Sequence, residues 1–164
     1  MLVFTHTESM SSLKRWVKTL PHSRMVYPDS FSHRLKYFIW RLYTPLHPYI
    51  RDILLTFGIL RHTGRQDFLI GTVAPNQTIK AVVSFLVEHG YGNNFIAWQD
   101  EGEIVSLRHI EDFVHQYHLR IFEDGEVRGH YEYTPECNPI MHLQEKHMQD
   151  RRQEFRQFLG DRVV

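Results

Sequence analysis

The stretch HQYHLRIFEDGEVRGHYEYT, residues 115–134, reads as two strand-like runs around an Asp-Gly turn. The choice between its two registers decides what surfaces a sheet would present. With a two-residue Asp124-Gly125 turn, Phe122 opposes Val127, and each face mixes classes, setting Arg128, His130 and Glu132 beside Leu119 and Ile121. A three-residue Glu123-Asp124-Gly125 loop, its glycine in the left-handed position of a bulge, sorts them instead. One face then carries Tyr117, Leu119, Ile121, Val127, Tyr131 and Tyr133; the other carries Gln116, His118, Arg120, Phe122, Glu126, Arg128, His130 and Glu132. A one-residue slip turns a strand's whole apolar set outward, so the sorted register is expected.

That register sets His118 opposite His130 and Arg120 opposite Arg128. Directly opposed like charges cost about 0.2–1 kcal/mol, so something must offset the arginine pair. One offset is local, from Glu123, Glu126 and Glu132. The other is a bound anion, with two guanidiniums as a fork for phosphate and two imidazoles as donors or proton carriers. His118, Arg120, Arg128, His130 and Glu132 are therefore the candidate ligand-binding residues. An enzymatic alternative uses His118 and His130 as base and acid in a phosphoesterase or metal-assisted hydrolase.

Upstream, Phe68–Val73 is a short strand-like run. Asn76 is a possible cap for a helix with Ile79, Val82, Val83 and Leu86 at helical spacing and Gly90 as its stop. Gly90–Asn94 reads as a turn. Phe95–Trp98 and Ile104–Leu107 flank Asp100-Glu101-Gly102 as a first hairpin. Downstream, Asn138-Pro139 is a helix start and Gly160 a stop, predicting one long helix with Met141, Met148 and Phe155 along a narrow seam. The expected fold is α+β: basic N-terminal helices, then a β-α-β-β-β-β-α unit with a mainly antiparallel sheet.

Formal charge divides the chain. Residues 1–66 hold ten Lys/Arg against three acids, and the remainder nine against sixteen, so a neutral total conceals +7 and −7. We assign residues 1–63 as a basic helical arm and 64–164 as the α+β domain. The arm contains three amphipathic segments, around Leu13–Leu20, Phe31–Leu42 and Pro48–Phe57. Lys14, Arg15, Lys18, Arg34, Lys36 and Arg41 share the first two with Trp16, Tyr37, Trp40 and Tyr43. Such an arm seeks an anion: nucleic acid, a lipid surface or the acidic half of the chain itself.

Several classes are set aside. Cys137 is the single cysteine, which removes an internal disulfide framework and any cysteine-based zinc set; lying ahead of a helix start, its thiol is expected to be somewhat acidified. The longest charge-free run in the apolar stretch 35–60 is nine residues, Leu42–Ile50, whereas a span needs about 20. No transmembrane segment is expected, no secretory signal is visible, and the cytoplasm is the expected compartment. No phosphate-cradling glycine loop or GxSxG elbow occurs. In HLQEKH, His142 and His147 are five apart and diverge by about 140° around a helix, which is not a zinc-helix spacing. No cofactor is expected and no metal is assigned, although His118, His130 and Glu132 share one face and keep a metal site open.

His118-Leu119-Arg120 and His130-Tyr131-Glu132 on facing strands resemble the two-histidine phosphoesterases, whose two His-x-Ser/Thr motifs are placed this way. Arg120 and Glu132 stand where that family has Ser or Thr, so no catalytic role is carried over. Residues 64–160, above all YHLRIFEDGEVRGHYEYTPE at 117–136, resemble a family of small uncharacterised bacterial proteins, which implies a shared fold and no particular activity. The functional expectation is a binding module for a phosphate-bearing ligand, nucleic acid foremost or a phosphorylated small molecule. The alternatives are the hydrolase above and a protein- or membrane-surface role for residues 11–60.

Overall fold

Five antiparallel strands, β1 (Leu69–Thr72), β2 (Gly92–Asn93), β3 (Glu103–Ile110), β4 (His115–Phe122) and β5 (Glu126–Tyr133), form one sheet in the order β1-β5-β4-β3-β2. The structure is a computed structural model and describes residues 9–59, 68–93, 100–138 and 148–164. Its helices are α1 (Met10–Val17), α2 (Phe31–Tyr43), α3 (His47–Thr56), α4 (Ile79–Glu88) and α5 (Arg152–Leu159). Among the described residues beyond 68 the order is β-α-β-β-β-β-α, an α+β arrangement as expected. Ser9, Ser30 and Thr78 cap α1, α2 and α4, each side-chain oxygen accepting a hydrogen bond from a backbone N–H of the first turn.

The hairpin takes the sorted register, with His118 opposite His130 and Arg120 opposite Arg128. Gly125, at φ 86°, supplies the left-handed residue that the three-residue loop requires, and its N–H donates to Phe122 O at 2.9 Å.

The apolar face, with Leu107, Leu119, Ile121 and Val127 fully buried, packs against Val82, Val83 and Leu86 of α4 and Phe155 and Leu159 of α5. Each such side chain contributes roughly 1.5–3 kcal/mol on burial. Leu13 and Val17 of α1 join the same core, so the first basic helix is part of the body. At Gly129 a Cβ would lie 2.8 Å from Ile70 Cδ1 and 3.0 Å from Phe155 Cζ. The missing side chain lets α5 press onto the strand.

Two expectations are corrected. Gly92–Asn93 is a strand, opposite Arg108 and Leu107, because Asn93 is gripped from the far side. Its backbone N–H donates to Pro21 O, its carbonyl accepts from Ser23, and its side-chain amide donates to Val17 O and Leu20 O. The proposed strand Phe95–Trp98 lies outside the described residues. The C-terminal helix is not one long rod: residues 148–151 are non-helical, and Gln149 exchanges backbone hydrogen bonds of 3.1 and 2.7 Å with Tyr131 of β5. Those groups are thereby lost to any helical ladder, Met148 sits on no helical seam, and α5 begins at Arg152. Met141, His142, Glu145 and His147 lie outside the described residues. Finally, α2 buries Trp40, while Phe31, Leu35, Phe38, Ile39 and Leu42, its most apolar stripe, stay exposed.

Both margins of the sheet are occupied. Thr72 and Val164 exchange two hydrogen bonds of 2.9 Å beside β1, and His22 bridges Asn93 beside β2. Among the described residues no helix is long and apolar enough to cross a membrane.

Candidate functional site

Strand alternation puts Ser106 and Arg108 of β3, Gln116, His118, Arg120 and Phe122 of β4, and Glu126, Arg128, His130 and Glu132 of β5 on one side of the sheet. This side is covered, not wet. Gln116 is 0% exposed, Glu132 1%, His130 2%, Arg128 4% and His118 9%. The ring of Phe68 lies 5.7 Å from that of His130, and His33 and Tyr37 of α2 pack on Phe113, just before β4.

Buried polar groups are tolerated only when bonded to one another, and a chain of bonds crosses the sheet here. Arg108 makes a two-pronged ion pair with Glu136 at 2.9 and 3.1 Å, and donates to Gln116 Oε1 at 3.2 Å and Ser23 Oγ at 2.7 Å. Gln116 in turn donates from Nε2 to Glu132 Oε1 at 2.7 Å. Ser106 Oγ and His118 Nε2 share a hydrogen bond of 2.9 Å.

At the end of this chain three donor atoms converge. His118 Nδ1 lies 3.4 Å from His130 Nε2 and 3.6 Å from Glu132 Oε1, and His130 Nε2 lies 3.4 Å from Glu132 Oε2. A tetrahedral ion with bonds of about 2.0–2.2 Å holds its ligands about 3.3–3.6 Å apart. The two imidazoles approach different oxygens of the one carboxylate, and one such atom from each residue lies within 4.8 Å of the other two, close enough for the three side chains to share an ion.

The two arginines are neutralised from within. Arg120 donates to Asp100 Oδ2 at 2.6 Å and lies 3.9 Å from Glu103 Oε2, and Arg128 donates to Glu126 Oε2 at 2.7 Å. Both guanidiniums also sit over the buried Phe122 ring, at 5.9 and 5.7 Å. Of the three acids expected to serve, Glu126 is seen to pair with an arginine. Glu123 binds Lys14 at 2.6 Å, and Glu132 turns to the histidines. Asp100 and Glu103 were hidden in a turn read only for its hairpin. Burial pushes the Glu103 carboxyl up to about 7, although the Asp100 N–H and the Arg120 guanidinium pull the other way.

Among the remaining basic residues, Arg15, Lys18 and Arg41 are exposed, Arg34 Nε donates to Pro28 O at 3.3 Å, and Lys36 Nζ lies 3.9 Å from Cys137 Sγ. The structure brings none of the six basic residues named from the sequence against the His/Arg face among the described contacts. Cys137 itself is buried, and desolvation raises its pKa despite the nearby Lys36; the acidified thiol expected from sequence is not found. No family model, no curated protein and no solved structure matches the chain.

Proposed function

We propose that this protein binds a divalent transition-metal ion of the zinc type through His118 Nδ1, His130 Nε2 and the Glu132 carboxylate. The convergence of one ligand atom from each of these three buried side chains to within 4.8 Å carries the reading. Two imidazoles and a carboxylate are a donor set suited to zinc and its first-row neighbours. The surroundings are also those of a metal site. Ser106 fixes the far nitrogen of His118 and Gln116 fixes Glu132, as outer groups do when they orient ligands. Three protein donors leave one tetrahedral position, where such an ion supplies Lewis-acid or hydrolytic chemistry. In this reading His118 and His130 hold the ion and do not act as an acid–base pair.

A phosphate ligand has less support, since it would have to displace Asp100 from Arg120 and Glu126 from Arg128. The test is titration of chelator-stripped protein with Zn(II) by calorimetry and with Co(II) by visible absorption. The expected result is a single ion per chain and the intense bands of tetrahedral cobalt. His118→Ala and Glu132→Gln should each weaken binding by at least ~100-fold, with circular dichroism confirming that the variants fold. Equal affinity in wild type and both variants, or a weak octahedral cobalt spectrum, would refute the site.

A further inference from the structure

Helix α2 is apolar on two opposite sides. His33, Tyr37 and Trp40 face the body: the first two pack on Phe113 at 5.0 and 6.5 Å, and Trp40 is 3% exposed. At about 100° per residue, Phe31, Leu35, Phe38 and Leu42 project half a turn away. They are 82, 51, 58 and 62% exposed. Single exposed apolar residues are ordinary; a continuous row of this size marks a contact surface. The row does not stop at Pro45. Helix α3 has no buried side chain among its described residues, and its Tyr49 is 70% exposed. Isolated helices shorter than about 12–15 residues are marginal in water; α3 has ten residues, with Ile50, Leu54 and Leu55 half-buried and Tyr49 and Ile53 exposed.

Charge identifies what covers this ridge. Residues 31–57 carry four Lys/Arg against Asp52 alone, and the exposed Arg34 and Arg41 flank the ridge about a quarter turn away. A second copy would bring the same positive flank against itself. An anionic bilayer satisfies both features, acyl chains receiving the apolar row and lipid phosphates the arginines. Residues 67–164, at −7, are repelled by such a surface, which favours approach through these helices. We infer that α2 and α3 seat the protein on an anionic lipid surface, lying in the interfacial plane without crossing it.

Co-sedimentation of the full chain with vesicles of phosphatidylcholine, with or without phosphatidylglycerol, tests this. The wild type should sediment with the anionic vesicles, less so in high salt, and weakly with the neutral ones. Phe38→Glu and Leu42→Glu alter exposed positions and should keep the fold by circular dichroism. Each should cut vesicle binding by at least about tenfold. Arg34→Glu with Arg41→Glu should remove the preference for anionic lipid. Absence of vesicle binding, or undiminished binding by Phe38→Glu, overturns the proposal. So does a dimer in light scattering that Phe38→Glu dissolves, because a second copy is then the occupant.

Discussion

Glu103 carries the clearest pH consequence of the buried polar face. Its pKa is raised from 4.5 to about 7 by burial, so between those values the folded state keeps a proton that the unfolded chain has lost. The folded state binds more protons there, and stability therefore falls as pH rises from about 4.5 to about 7, then levels. Glu103→Gln should flatten that slope and add on the order of 1–3 kcal/mol at pH 8, read from urea denaturation at pH 5 and pH 8; an unchanged slope would exclude Glu103 as its source. Ser106→Ala should weaken Zn(II) binding by ~10–100-fold and, by taking the partner of His118 Nε2 away, destabilise the metal-free protein by about 1–3 kcal/mol. The facing of His118 and His130 was legible in the sequence because a strand has a strict period of two. The roles of Ser106, Gln116 and Glu136 were not, since an alternating polar set reads the same whether that face is wet or covered.

At the level of elements, the hairpin register followed from sorting alone, and Gly125 was the expected left-handed residue. Gly129 shows a different use of glycine, where a close approach excludes a side chain. Gly129→Ala should destabilise by about 1–3 kcal/mol through overpacking against Ile70 and Phe155, seen as a lower urea midpoint with an unchanged slope. The C-terminal helix was overextended because Asn138-Pro139 and Gly160 are sound end signals, and nothing between them announces that Gln149 pairs with Tyr131. That pairing is a tertiary event, and tertiary partners override local propensity. Helix α2 could not be read for its buried face: with Trp40 on one side and Phe38 on the other, its apolar pattern has no single phase.

For the whole molecule, a metal bound only by the native state stabilises it by mass action, about 2.7 kcal/mol at a free concentration one hundred times the dissociation constant. In a chain of this size that corresponds to a rise of about 5–10 °C in Tm. The rise should be reversed by chelator and absent in His130→Ala; an equal rise in that variant would place the ion elsewhere. The opposed charges of the two halves were legible as sums. Their meeting was not: Lys14 reaches Glu123 only because Leu13 and Val17 bury α1 in the common core. The two occupied margins of the sheet bear on how copies of the protein behave when crowded. Residues 21–23 pair beside Asn93 and residues 162–164 beside Thr72–Ala74, so at these positions an incoming chain finds the amides already taken. Concentrated or gently warmed solutions should stay free of the dye-binding fibrils that a bare strand would seed.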